Sequence, residues 1–315
     1  MRLYEHEEFR DAVIRAAAAT GLSEPFVEKD YYITEVLRTV SAHYRDKVIF
    51  KGGTSLSKGW DLIERLSEDV DLLVVQDRFE PSLSRAGIVR ELQAMRDLVA
   101  EHPGLRWQGQ DSEQFGSARL DTFRYQPQFE MPGLPSTVRT EPGVAGGDHP
   151  TSQLEIESKV ARFLREQGQE DMAEDTSAFG VTTLHFRRTF VEKLFVVHAL
   201  VQRLKEDGEP LGRDARHYYD LHALAPRPEV KEMLASDECE DIKRDCREIG
   251  LKFFRKKYKA PPDLSFGRSD GVFPPTNLRD QIERDYTTEC GRLCYGEIPT
   301  FDQVIGRLEE LRPLL

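Results

Sequence analysis

The spacing of apolar and polar positions divides the chain into helical and strand-like stretches. Residues 9–21 (FRDAVIRAAAATG) repeat apolar side chains at three- and four-residue intervals and stop at a glycine, which predicts an amphipathic helix ended at Gly21. Residues 26–40 (FVEKDYYITEVLRTV) repeat the pattern, with Ser23 placed to cap them. Val48, Ile49 and Phe50 form a short apolar run that stops at Gly52-Gly53, and Leu56, Trp60 and Ile63 then recur at helical spacing. Asp69-Val70-Asp71-Leu72 alternates with period two, so both aspartates project from one face of a strand while Val70 and Leu72 enter the core. Residues 50–75 therefore read as strand, glycine turn, short helix and strand.

Further along, residues 87–102 predict a helix, and 118–129 and 135–141 predict strands. Glu155 to Ala161 runs into ARFLREQG and reads as the start of a helix, and residues 181–186 read as extended. Residues 187–204 predict a long helix with an apolar stripe of Phe190, Leu194, Val197, Leu200 and Val201. Residues 213–224 (RDARHYYDLHAL) read as the start of another helix, with Asp220 opening an apolar turn, and the tail from Leu278 reads as two helices. The Gly-rich link 143–148 (GVAGGD) marks an expected boundary between an α/β domain, residues 1–150, and a mainly helical one, residues 151–315. The Pro/Gly-rich stretch 260–277 is long and polar enough to serve as a mobile flap.

A chain of 315 residues holds one large domain or two ordinary ones, and 39% hydrophobic with 32% charged residues suits a globular fold. No apolar run approaches membrane-spanning length and the charged start MRLYEHEEFR does not read as a signal peptide, so a cytoplasmic protein is expected. A net charge of −12 excludes a general nucleic-acid coat protein. It leaves room for a local basic surface at residues 243–259 (KRDCREIGLKFFRKKYK), either a solvated helix face or a docking patch for RNA backbone. The four cysteines, at 239, 246, 290 and 294, match no common zinc spacing and read as reduced structural thiols.

The chemistry concentrates in the glycine turn and the two-aspartate strand. Two adjacent carboxylates repel unless a cation lies between them, and Mg²⁺ takes oxygen ligands and completes its shell with substrate phosphates. A turn whose amides can accept phosphate, beside such a strand, outlines a nucleoside-triphosphate site. A lone D-x-D reads as a solvated acidic edge; the upstream Gly-Gly and the downstream apolar run reverse that reading in favour of the site. On pattern alone Lys193, beside the apolar stripe, reads as a snorkelling lysine and His198 as a core histidine.

Residues 50–75 resemble motif I of the DNA polymerase-β-like nucleotidyltransferases, and the long Gly-to-Asp spacer is similar to that of the narrower AbiEii/MenT-type nucleotidyltransferase toxin family. The likeness runs over nearly the whole chain: residues 27–31 resemble the segment before motif I, 188–193 (RTFVEK) motif III, 213–224 motif IV, and Arg284-Asp285-Tyr286 with GEIPTFDQVIGRLEEL the family's C-terminal signature. It implies an α/β (α+β) nucleotidyltransferase domain with a small mixed sheet, followed by a mainly helical domain carrying Lys193 and Asp220. It also implies transfer of a nucleoside monophosphate from an NTP to an acceptor hydroxyl, the tRNA 3′ end, with Mg²⁺ and a cognate antitoxin.

By this resemblance Asp69 and Asp71 hold the metal with a third carboxylate, Glu141 in preference to Glu155, because Glu141 ends a strand. Gly52, Gly53, Thr54, Ser55 and Lys58 cradle phosphate; Lys193, with Arg188 and Arg216, meets the triphosphate; Asp220 orients Lys193 or accepts the hydroxyl proton, and Arg213 is a weaker candidate. Lys29 and Asp30 are assigned to packing, and Ser67 occupies the position at which some relatives are silenced by phosphorylation. Two other readings stay open: a nucleotide-sensing or antitoxin-binding module without catalysis, and a nucleotidyltransferase acting on a small molecule or a protein.

Overall fold

The computed structural model describes residues 1–255 and 259–315, so Lys256, Lys257 and Tyr258 of the basic stretch lie outside the described residues. The chain forms two compact units: Met1–Gly59, Glu68–Val144 and Thr151–Thr183 make the first, and Trp60–Ser67, Ala145–Pro150 and Leu184–Leu315 the second.

The first unit is built on a mixed sheet. Its strands are β1 (Val48–Lys51), β2 (Asp69–Val74), β3 (Arg106–Trp107), β4 (Glu113–Phe115), β5 (Ala118–Arg124), β6 (Thr137–Gly143), β7 (Thr151–Ile156) and β8 (Phe179–Leu184). Their order is β3-β5-β6-β2-β1-β8-β7, with β4 also on β5. β2 pairs antiparallel with β1 and parallel with β6, and β8 joins β1 in parallel. Ile49, Phe50, Val70, Leu72, Leu73 and Val74 are buried, so the apolar runs flanking the aspartates anchor the two central strands.

Four longer helices cover this sheet: Phe9–Thr20, Glu24–Tyr44, Arg85–Ala100 and Lys159–Glu166. The first ends at Gly21 with φ 69°, as its pattern requires. Helix Glu24–Tyr44 is apolar on most faces, yet it also buries Glu28, Lys29 and Glu35 completely. Glu28 accepts the backbone N–H groups of Gln128 and Phe129 at 2.7 and 3.1 Å. Lys29 donates to Glu68 and to the Pro135 carbonyl, and Asp30 pairs with Lys58 at 2.6 Å and accepts the Lys159 N–H at 2.7 Å. These buried charges tie the loops around the sheet to one helix.

Three expectations are corrected here. The division at residue 150 moves, because β7 and β8 extend the sheet and residues 151–183 fold with the first unit. Glu155 lies in a strand rather than at a helix start; the helix begins at Lys159, capped by Ser158, whose Oγ accepts the Ala161 N–H at 3.1 Å. The helix expected through Ile63 is only a tight turn, Gly52–Thr54, followed by a π-type turn, Ser55–Gly59.

The second unit is mainly helical: Phe186–Asp207, His217–Leu224, Pro228–Leu234, Asp237–Phe253, Thr276–Leu293 and Phe301–Glu309. The stripe of the first of these helices is buried as expected. The tail signature packs: Tyr286 Oη donates to the Pro299 carbonyl at 2.8 Å, and Asp285 accepts the Leu211 N–H at 2.9 Å. The stretch 260–277 is pinned instead of flap-like. Phe266 and Val272 are fully buried, His198 Nδ1 lies 2.7 Å from Ser269 Oγ, and the Phe266 N–H donates to the Leu315 carbonyl. Two apolar anchors outweigh its Pro/Gly content. The four cysteines are free thiols, and among the described residues no helix is long and apolar enough to cross a membrane.

Glu28→Ala removes the acceptor of two partly buried amide donors and is expected to cost about 1–2 kcal/mol, with Glu28→Gln losing less because one acceptor oxygen remains. Urea unfolding measures this; an unchanged midpoint for Glu28→Ala would show that the carboxylate does not hold the Gln128–Phe129 loop.

Candidate active site

In the first unit the site is set by strand register. β1, β2 and β6 lie side by side, and Lys51, Asp71 and Glu141 are direct neighbours in one row across them. Asp69 and Arg139 form the next row, two residues along, and therefore on the same face. Three carboxylates and two cations thus share one surface of the sheet.

The glycine turn presses on this row. Gly52 has φ +76°, and a Cβ there would lie 1.9 Å from Asp71 Oδ2, so only glycine fits both the backbone and the carboxylate. Thr54 Oγ1 donates to the Asp69 carbonyl and Ser55 Oγ to the Gly52 carbonyl at 2.8 Å. The two hydroxyls therefore hold the turn against β2, and the phosphate-facing capacity of Gly52-Gly53 rests on backbone N–H groups. Lys58 is turned away: its Nζ contacts Asp30 and the Glu157 carbonyl, and the side chain is buried.

Burial raises the Glu141 pKa to about 7, aided by the Asp71 and Asp69 charges and opposed by Arg139 and Lys51. Like charges at this distance are tolerable only if one is protonated or a cation intervenes. Arg139 partly supplies that cation: its Nε and a terminal nitrogen lie 2.6 and 2.5 Å from Asp69 Oδ1. With Asp69 so engaged, no group of three or more His, Cys, Asp or Glu side chains among the described residues is arranged to hold a metal ion. The donor set itself, three carboxylate side chains on one face of the sheet, has the chemistry of a hard divalent cation site. Glu155 is exposed on β7, which β1 and β8 separate from β2, so register brings Glu141 and not Glu155 to the aspartates.

The second unit holds its own cluster. Asp220 is fully buried and receives two parallel bonds from Arg65, Nε to Oδ1 at 2.7 Å and NH2 to Oδ2 at 2.8 Å. Lys193 Nζ lies 2.7 Å from Asp220 Oδ2 and donates to His217 Nδ1 at 3.0 Å. Burial would raise the Asp220 pKa, but the Arg65 and Lys193 charges hold it well below the usual carboxylate range. Burial and the Lys193 charge lower His217 to about 4, so it is a neutral acceptor at pH 7. Arg216 has a buried NH1 with no partner, and its pKa is lowered first by burial and then by Arg65 and Arg213. Arg65, Lys193 and Arg216 thus exceed the single Asp220 charge, a balance suited to a polyanion.

Arg188, expected at phosphate, is committed elsewhere. It donates to Glu192 at 3.0 Å, to the His149 carbonyl at 2.9 Å and to Asp245, and a Cβ on Gly147 would collide with it. Its guanidinium fastens the loop through residue 147. Sequence reasoning passed over Arg65, Arg139 and His217. The alternation in TVRTE places Arg139 on the face of Glu141 and could have exposed it; Arg65 lies in an irregular segment that carries no such signal.

A carboxylate row beside a glycine turn, on a mixed sheet, has the chemistry to receive a cation and phosphates. The family model for the nucleotidyl transferase AbiEii toxin of type IV toxin–antitoxin systems matches residues 35–307, and the chain belongs to that family. Among solved structures it is similar to MenT4, a nucleotidyltransferase toxin from Mycobacterium tuberculosis H37Rv, with 16% identity, 97% of this chain and 88% of that one covered, and a TM-score of 0.58. It also matches JHP933 from Helicobacter pylori, with 16% identity, 86% and 96% coverage and a TM-score of 0.40. A proposed nucleotidyltransferase from H. pylori gives 15% identity, 86% and 99% coverage and a TM-score of 0.40. No curated protein matches the chain.

Gly52→Ala is expected to displace Asp71 and to lower nucleotidyl transfer by about 100-fold or more. Gly116→Ala is the matched control, because Gly116 also has positive φ but faces open space. Equal activities of the two variants would refute the contact between turn and carboxylate.

Proposed function

We propose that this chain transfers a nucleoside monophosphate from an NTP to a hydroxyl at the 3′ end of tRNA, and that this is its toxic activity. The observation that supports the reading most is the register that sets Asp69, Asp71 and Glu141 on one face beside a turn only glycine can make.

Asp69 and Asp71, with Glu141, are the residues that would hold Mg²⁺. A bound divalent cation supplies charge compensation at the phosphates. Where Glu141 is not itself on the cation, it is the carboxylate placed to accept the proton of the acceptor hydroxyl, its pKa being raised by burial to about 7 in the metal-free row. The hydroxyl oxygen forms a bond to the α-phosphorus, the bond from that phosphorus to the bridging oxygen breaks, and pyrophosphate departs with the electron pair. The amides of Gly52 and Gly53 are the phosphate donors of the turn. Lys193, with one ammonium hydrogen beyond those given to Asp220 and His217, and Arg216, with its unpartnered NH1, are the cations assigned to the pyrophosphate. Asp220 is too strongly paired to act as a base; it fixes Lys193.

Two features support RNA as the acceptor. A toxin of this family needs an acceptor whose modification harms the cell, and the end of helix Asp237–Phe253 exposes Phe254, an aromatic ring that can stack on a base, beside the exposed cations Lys252 and Arg255. Family membership also supports a cognate antitoxin as partner.

Incubating the protein with α-³²P-labelled NTPs, Mg²⁺ and total tRNA is expected to label RNA, and Asp71→Asn to lower the label by at least about 100-fold while keeping the fold. Label on protein instead would indicate modification of the toxin or a partner. NTP binding without transfer would indicate a sensor and would contradict the proposal.

A further inference from the structure

The structure contains two Arg–Asp pairs of opposite character. Arg65 grips Asp220 through two parallel bonds to two oxygens, with 2% and 0% of the side chains exposed. That is the strongest geometry available to a guanidinium and a carboxylate. Arg139, in contrast, directs two of its three guanidinium nitrogens, Nε and a terminal one, at one oxygen, Oδ1 of Asp69, and its side chain is 30% exposed. A single-oxygen grip is weaker than a two-oxygen one even though the Asp69 side chain is only 13% exposed, and the partly exposed guanidinium has solvent to move into. Register fixes which carboxylate it holds, because Arg139 is the direct partner of Asp69 across β2 and β6.

Resting on the nucleotidyl-transfer reading, we infer that Arg139 is the resident counter-cation of Asp69 and gives the carboxylate up when a divalent cation is taken into the row. Arg139 feels the charges of Asp69, Glu141 and Glu68 together, so it offsets much of the repulsion that the row would otherwise carry. Arg139 occupies Oδ1 of Asp69, an oxygen that a cation in the row would need. Arg139 is thus a positioning residue: it touches a metal-holding carboxylate, and it sets the free energy of exchange. Lys51, in the row of Asp71, carries the same charge but no bond to Asp69 is made by it, so charge and grip are separable.

The test is Mn²⁺ alone, without nucleotide, titrated into the full chain and followed by the EPR signal of the free ion. Arg139→Ala is expected to bind Mn²⁺ about tenfold more tightly than wild type, and Lys51→Ala to change binding by less than about threefold. Arg139→Lys, which keeps the charge and removes the fork, is expected to fall between wild type and Arg139→Ala, and it carries the test if the alanine variant does not fold. The Mg²⁺ concentration for half-maximal transfer should fall in the same order. Unchanged Mn²⁺ affinity in Arg139→Ala and Arg139→Lys would overturn the inference, as would an equal gain in Lys51→Ala, which would reduce the effect to net charge. Wild-type binding that Asp71→Asn leaves intact would place the ion off the carboxylate row; that result refutes the metal assignment under the proposed function and the inference with it.

Discussion

Everything in the first unit answers to the repulsion among three carboxylates on two adjacent strands. Asp69 and Asp71 stand on one face of β2, and parallel pairing with β6 brings Glu141 beside Asp71. A protein spared this repulsion would have no need of Arg139 against Asp69 or of a glutamate whose pKa lies near 7. Burial adds to the repulsion and is the larger cause of the raised Glu141 pKa, ahead of the Asp71 and Asp69 charges. The fold tolerates that cost because Ile49, Phe50, Val70 and Leu72 fix the strands from the other side.

The second unit solves the converse problem. Its cations outnumber the carboxylate among them; burial lowers the Lys193 pKa, and the Asp220 charge is what opposes that shift. A low-pKa aspartate makes a poor base and a good anchor. That division, a proton acceptor at Glu141 and a charge anchor at Asp220, sorts two acidic residues that look alike in sequence into different roles under the proposed mechanism.

The chain's local patterns were legible, and its nonlocal pairings were not. Period-two alternation showed Asp69 and Asp71 on one face, and the glycine pair announced the turn. Nothing local says that β2 pairs with β6, so the choice between Glu141 and Glu155 depended on resemblance until register decided which one neighbours Asp71. Glu155 was misread because the residues after it have helical periodicity, while the sheet edge claims the residues before Ser158. Thr54, Ser55, Lys58 and Arg188 have the chemistry of phosphate ligands, but their polar atoms are taken by backbone carbonyls and buried acids. Residue type reveals what a side chain can bind; only the fold reveals what it has already bound. The Pro/Gly stretch 260–277 taught the same lesson, since Phe266 and Val272 anchor it despite its composition.

The most direct measurement is the ionisation of Glu141 itself, followed by the carboxyl ¹³C shift in glutamate-labelled protein, with Glu141→Gln to assign the resonance. The carboxylate-row account predicts a midpoint near pH 7 in the metal-free protein, displaced to lower pH when Mg²⁺ is added, because the cation favours the ionised form. A midpoint at the ordinary glutamate value of 4.5, unmoved by Mg²⁺, would contradict it.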